Sequence, residues 1–300
     1  MGKLKIALGI YGLQDFFGGN MKKLIESVRI ADQVGIDQVS MTDHVVMGER
    51  VDRYPYGDFP SPLTYPWYEP IATLSAIAAS TDRIRLSTGV LISPLRPAVL
   101  LAKQLATLDV ISEGRVEIGV GTGWQEEEYI ASGIPFEGRL TRMEEQIRVC
   151  RKLWSEAPAT VNEKTVQFEN IHAFPRPVQG RDMPVWFGIS ASPRNCARIA
   201  ELGNGWIPIS YDPANVAEGV KAIKAAFSAA GRDPNELEVR VQLMPKFDAN
   251  GGNFEQTLEG LDAMIEAGAT MLEVLPIIFC RGPEELPKFY EQMAKIKERI

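Results

Sequence analysis

Cysteine and histidine are scarce in this chain: Cys150, Cys196, Cys280, His44 and His172 are all it has in 300 residues. The three thiols are odd in number, far apart and set in apolar context. That argues against a disulfide framework and against a metal site, and for buried reduced thiols. No run rich in Lys and Arg occurs and the net charge is −7, so nucleic acid is not an expected partner. No apolar stretch is long enough to cross a bilayer, so no membrane partner is expected either. The opening Met-Gly-Lys-Leu-Lys-Ile-Ala lacks the apolar core and cleavage site of a secretory leader. A Walker loop and a serine-nucleophile elbow are also missing. The expectation is a soluble cytoplasmic protein with an ordinary core, since 45% of residues are hydrophobic.

What is present is a regular alternation of two periods. Strand-like runs are expected at Lys5–Tyr11, Asp37–His44, Arg83–Val90, Arg115–Gly121, Val185–Ser190, Gly205–Ile209, Glu238–Met244 and Met271–Ile277. Helical spacing falls between them: Met21–Val34, Glu69–Ser80, Pro97–Ile111, Arg139–Trp154, Pro193–Leu202, Pro213–Ala230, a helix to Ala267 after a loop at Asp248–Asn253, and Pro283–Ile300. Two stretches break the rhythm. Gly48–Trp67, after the second strand, reads as a long loop. Thr160–Arg181, before the fifth, reads as an irregular or β-like excursion. Eight strand–helix units of this length predict one domain over residues 1–300, a parallel (β/α)8 barrel with those two insertions.

Glycine marks one end of that barrel. In each of four strands the β-branched, leucine and phenylalanine positions form one row. Gly9, Gly89, Gly121 and Gly188 fall in the other row, near the carboxyl end. Strand interiors normally avoid glycine, so such a row predicts a flat shelf that a planar ring can approach. Charges share the same row. Arg85, Glu117, Arg240 and Glu273 are expected inside the barrel floor, Arg85 paired with Glu117 and Arg240 with Glu273.

Active sites of such barrels lie at the carboxyl ends of the strands. By parity the inward groups there are Tyr11, His44, Gly89, Gly121 and Ser190, with Asp43 and Thr88 beside them. His44 is the candidate catalytic group, with Asp43 as its neighbour. An imidazole at the rim donates a hydrogen bond or relays a proton near neutral pH; the alternative is a histidine held by backbone. His172, in the excursion, is given no role. In Gly119-Val120-Gly121-Thr122-Gly123 the glycines give room for a ring, with Trp124 as a wall. Glu126, Glu127 and Glu128 follow at once and would repel a phosphate. Ser190-Ala191-Ser192-Pro193-Arg194 is the better phosphate loop, or else an ordinary helix cap. Tyr54, Tyr56, Phe59, Tyr65 and Trp67 suggest a lid over an apolar substrate, or a packed surface loop.

Several segments carry a resemblance. They are Thr42-Asp43-His44, Ala106-Thr107-Leu108-Asp109, Ser112-Glu113-Gly114-Arg115, and Gly119 through Trp124. Phe168-Glu169-Asn170, Pro175-Arg176-Pro177-Val178, Pro184-Val185-Trp186-Phe187-Gly188 and Gly203-Asn204-Gly205-Trp206 follow in order. Together they resemble the bacterial luciferase-like monooxygenase superfamily, and within it the branch dependent on coenzyme F420, a deazaflavin.

That resemblance implies a (β/α)8 barrel holding a deazaflavin or flavin in its open end. It implies a non-prolyl cis peptide at Gly89-Val90 bracing the ring, and His44 beside the ring's reactive edge. It places the phosphate at Ile189, Ser190 and Ala191, with Ser210 assisting. The implied reaction is hydride transfer between F420 and a small, apolar or conjugated substrate. The alternative is an FMN-dependent, two-component monooxygenase served by a flavin reductase; a non-catalytic flavin-binding barrel ranks third. Trp124 stands where some F420 enzymes have a glutamate acid, so a sugar-phosphate dehydrogenase activity is not carried over. A homodimer is the family expectation.

Overall fold

The computed structural model describes residues 3–298. Eight strands form its centre: β1 (Lys5–Gly9), β2 (Gln38–Met41), β3 (Arg85–Thr88), β4 (Val116–Gly121), β5 (Val185–Phe187), β6 (Gly205–Trp206), β7 (Glu238–Val241) and β8 (Met271–Val274). Each pairs in parallel with its neighbour in the chain, and β1 pairs with β8. The sheet therefore closes on itself. The fold is the (β/α)8 barrel that the two alternating periods predict.

Helices cover the outside. In order they are α1 (Met21–Val34), α2 (Pro70–Ala78), α3 (Ala98–Ile111), α4 (Glu126–Ala131), α5 (Arg139–Ser155), α6 (Pro193–Leu202), α7 (Pro213–Ala229), α8 (Phe254–Leu258), α9 (Leu261–Glu266), α10 (Pro276–Phe279) and α11 (Leu286–Lys295). α1 shows why they form where they do. The Asn20 side chain caps its start, and Gly35, with φ of 92°, ends it in the left-handed conformation. Its Leu24, Val28 and Ala31 pack against the barrel wall with Ile6, Leu8 and Val39. None of the described helices is long and apolar enough to cross a membrane.

The expected helix ending at Ala267 is broken into α8 and α9 around Gly260. The expected closing helix is regular over α11, and residues 299 and 300 lie outside the described part. The Thr160–Arg181 excursion begins with an antiparallel hairpin, Ala159–Asn162 against Gln167–Ile171. The loop at Asp248–Asn253 belongs to a second hairpin, Lys246–Asp248 against Gly251–Asn253.

Inside the barrel the polar residues form a connected network. Arg85 pairs with Glu117, as expected. Glu117 also accepts from Gln38 Nε2 at 2.6 Å. The expected pair Arg240–Glu273 does not form. Arg240 donates instead to Gln38 Oε1 at 2.5 Å, Ser87 Oγ at 3.0 Å and the Thr88 carbonyl at 2.9 Å. Glu273 accepts from Gln242 Nε2 at 2.8 Å. Burial lowers the Arg240 pKa, and the facing Glu273 and Glu117 oppose that shift. The neutral amide and hydroxyl lie nearer to the guanidinium than the carboxylate does.

Regular pairing stops two or three residues short of the expected end in every strand but β4. The freed residues, from Gly89 onward and from Gly188 onward, become the rim of the barrel mouth.

Candidate active site

The mouth holds two connected chambers. The inner one, about 400 Å³, lies over Gly89 and Val90 and is walled by Tyr11, Thr42, His44, Tyr54, Phe59, Trp67 and Trp124. The outer one, about 730 Å³, is lined by Ile189, Ser190, Ala191, Asn195 and Ser210, with Arg53 and Arg139. Thr122, Gly123, Trp124 and Gly188 belong to both. One side is aromatic and the other is rich in hydroxyls and guanidinium groups.

His44 stands three residues beyond β2, at the end of Thr42-Asp43-His44. Its side chain is 10% exposed. Trp67 stands edge-on to the imidazole with centroids 4.7 Å apart, and Phe59 and Trp124 lie at 6.0 and 6.2 Å. Nδ1 is 3.2 Å from Oε2 of Glu128, a fully buried carboxylate in the first turn of α4. The other oxygen of Glu128 accepts from the Val45 backbone N–H at 2.5 Å. Gln125 grips Gly48 by both its N–H and its carbonyl, at 2.7 and 3.1 Å. A side chain at residue 48 would put its Cβ 2.6 Å from that of Glu127, so only glycine lets loop and helix meet this closely.

Asp43 also lines the inner chamber. Its carboxylate accepts from Arg96 twice, at 2.6 and 3.1 Å, and from the Ile92 backbone N–H at 2.9 Å. Arg96 also reaches Glu69 at 3.0 Å. Burial opposes the charge on Arg96, yet the Asp43 and Glu69 carboxylates raise its pKa on balance. Asp43, expected as a catalytic partner of His44, thereby also ties the end of β2 to the chain after β3.

The glycine row faces inward, but most of the space it leaves is taken from within the chain. The Gly89–Val90 peptide is cis, and the strand bulges there before Leu91–Ile92 rejoins β4. A Cβ at Gly121 would lie 2.4 Å from the Val90 side chain, and one at Gly188 2.6 Å from it. Gly121 therefore makes room for Val90 and lines neither chamber. Gly9 faces Leu275, 3.1 Å from its Cβ position, and lines neither chamber. Thr88 is fully buried and donates its hydroxyl to the Gly119 carbonyl at 2.5 Å, out of reach of both. The open shelf is thus Gly89, Val90, Gly123 and Gly188, not the full row.

The remaining expected residues do converge. Tyr11, His44, Gly89 and Val90 line the inner chamber, Ile189, Ser190, Ala191 and Ser210 the outer, and Gly123 both. Ser192 caps α6 by accepting from the Asn195 N–H at 3.4 Å, and Asn195 Nδ2 donates to the Ser190 carbonyl at 2.9 Å. His172 is exposed and lines neither chamber. The lid aromatics pack on one another: Tyr54 on Trp124 at 5.2 Å, Phe59 on Trp124 at 5.3 Å and Tyr65 on Trp67 at 4.9 Å. Burial pushes the Tyr65 phenol up to about 12, against the opposing hydrogen bond from Gln14.

Residues 11–300 match the luciferase-like monooxygenase family. The chain belongs to that family. An uncharacterized protein of Mycobacterium tuberculosis is 38% identical over 177 residues, 59% of this chain and 62% of that relative. The matched segment thus spans less than two thirds of that relative's length. An F420-dependent glucose-6-phosphate dehydrogenase of Kineococcus radiotolerans is 29% identical over 283 residues, 91% of this chain and 78% of the relative. The crystal structure of monooxygenase RslO1 from Streptomyces bottropensis superposes with a TM-score of 0.78 at 19% identity, covering 97% of this chain and 98% of that one.

This luciferase-like barrel offers two buried donors without partners. The indole N–H groups of Trp67 and Trp124 make no hydrogen bond, and both residues line the inner chamber. Aromatic walls over the Gly89–Val90 floor leave space for a flat ring, so the residues present fit a flavin-like group. Glu128, Arg53, Arg139 and Asn195 were not singled out as site residues by the sequence. Glu128 lies 84 positions from His44, and no local spacing could join them.

Proposed function

We propose that this protein is an oxidoreductase that binds coenzyme F420 across both chambers and acts on a small, apolar or conjugated substrate. The observation that carries the reading is the junction itself: an aromatic chamber containing His44 opens into one lined by Ser190, Ser210, Arg53 and Arg139. A ring suits the first; a phosphate-bearing, acidic chain suits the second. F420, when bound, supplies hydride transfer at ring carbon C5. Gly89 and Val90 would support the ring. Ile189, Ser190 and Ala191 would meet the phosphate, with Ser210 beside them. His44 would hold or move a proton at Nε2, and the lid of Tyr54, Phe59 and Trp67 would exclude water. The same reading has the protein working as a cytoplasmic homodimer.

The experiment is an absorbance and fluorescence titration with F420 and with FMN. Saturable F420 binding without FMN binding supports the proposal. FMN binding without F420 binding overturns it in favour of a two-component monooxygenase that needs a flavin reductase. With F420 bound, His44→Ala is expected to fold normally and to lose about 10²–10⁴-fold in turnover.

A further inference from the structure

We propose that Asn195 and Arg198 are positioning residues that aim the Ser190 hydroxyl hydrogen into the outer chamber, where it is a donor for a phosphate oxygen. The inference rests on the cofactor reading above for its ligand, and on geometry alone for the direction of the hydroxyl.

A guanidinium only donates. Arg198 Nη1 lies 2.6 Å from the Asn195 side-chain oxygen, so that oxygen faces Arg198 and the amide nitrogen faces away. Arg198 is itself fixed. It is buried, and its Nε donates to Glu144 Oε2 at 2.6 Å. The other oxygen of Glu144 accepts from Arg148 Nη2 at 2.6 Å. Burial works against the Glu144 charge, yet the two guanidinium groups lower its pKa on balance. The charge on Arg198 is therefore met by Glu144, and what Arg198 gives Asn195 is orientation.

Asn195 is buried too, and its amide cannot turn over without losing the Arg198 bond. Its Nδ2 donates to the Ser190 carbonyl at 2.9 Å and to Ser190 Oγ at 3.3 Å. The hydroxyl oxygen thus accepts from within the chain. Its own hydrogen has no acceptor among the described residues. Ser190 is exposed and lines the outer chamber beside Arg53 and Arg139. A reversed Asn195 amide would take that hydrogen and turn a lone pair toward the chamber, which an anion avoids. With the amide held as it is, the chamber meets an O–H. A phosphate oxygen without a hydrogen can only accept, and its charge strengthens the bond.

Fluorescence titrations with F420 and with the same deazaflavin lacking its phosphate test this. Ser190→Ala is expected to weaken F420 binding about 10-fold and to leave the phosphate-free ligand within about twofold. Asn195→Ala should do the same, and should add nothing in the double variant with Ser190→Ala. Unchanged F420 affinity in Ser190→Ala would overturn the proposal, whatever the other variants do. Equal losses for both ligands would mean a merely structural role. Additive losses in the double variant would mean that Asn195 does not act through Ser190. Asn195→Asp keeps an oxygen on Arg198 and presents Ser190 with an acceptor in place of a donor. It replaces the alanine in the cycle if Asn195→Ala does not fold, because its added charge acts alike in both backgrounds. A wild type that binds FMN and not F420 would remove the cofactor assignment alone, and the same cycle is then read with FMN against riboflavin. A wild type with no preference for the phosphate-bearing member of either pair would overturn the proposal.

Discussion

Val90 occupies the place that a side chain at Gly121 would need. The ideal Cβ of residue 121 falls 2.4 Å from Val90 Cγ2, and Gly188 meets the same side chain from the other side at 2.6 Å. The bulge after β3 thus docks between two strands that have given up their side chains. Gly121→Ala should force Val90 upward into the inner chamber. The expected outcome is a stability loss of about 1–3 kcal/mol with weakened cofactor binding. The double variant Gly121→Ala/Val90→Ala should recover most of the stability. Urea denaturation of the four proteins gives the coupling; additive effects would show that the two sites do not share this space.

Asp43 and Arg96 make a second testable pair. Both are buried, at 4% and 9% exposure, and Asp43 is bonded on both oxygens. Asp43→Ala leaves a buried guanidinium with only the exposed Glu69 as a charged partner and a long bond to the Ile92 carbonyl, and leaves the Ile92 N–H without its acceptor. The expected loss is about 3–5 kcal/mol in chemical denaturation. A variant of unchanged stability with abolished turnover would instead return Asp43 to the proton chemistry.

The barrel was legible because its evidence is local. Period-two runs such as Val116–Gly121 and helical runs such as Met21–Val34 each announce themselves, and their order leaves one economical closure. Which side chains face inward was legible by the same parity: Arg85, Glu117, Arg240 and Glu273 all do. Who meets whom across the barrel was not. Charge suggests Arg240 with Glu273, but the neutral Gln38 and Ser87 lie closer to the guanidinium. The inward face of Gly121 was likewise readable, while its occupant depends on a one-residue bulge that re-aims Val90. Glu128 read as an obstacle to phosphate; its contact with His44 is a product of tertiary folding alone.

The thiols give a pH prediction. Burial pushes Cys150 and Cys280 from an ordinary value near 9 up to about 12. Their folded values are raised, so the unfolded chain binds fewer protons between pH 9 and 12 and stability must fall across that window. Tyr65 adds the same sign between 10 and about 12. Denaturation midpoints should be flat in these groups below pH 9 and decline above it. Under native conditions at pH 8, an aromatic disulfide reagent should label Cys150 only as fast as the protein opens. Prompt labelling of Cys150 in the folded protein would contradict its burial.

Arg240 links the barrel interior to the mouth. Its Nη2 donates to the Thr88 carbonyl at 2.9 Å, one residue before the Gly89–Val90 bulge, and the Cβ position of Gly89 lies 3.0 Å from the same nitrogen. Arg240→Met removes the donor that three acceptors share and leaves Gln38, Ser87 and Thr88 to find others in a closed space. The expected cost is about 3 kcal/mol or more, since each buried polar group left unpaired costs about 1–3 kcal/mol. Because the bulge is seated on that guanidinium, cofactor affinity should fall as well. Arg85→Met is the control. Its side chain is a third exposed, and Glu117 keeps its bond from Gln38. Stability should drop less there, and affinity should hold. Equal effects of the two substitutions on affinity would mean that Arg240 supports the barrel without supporting its mouth.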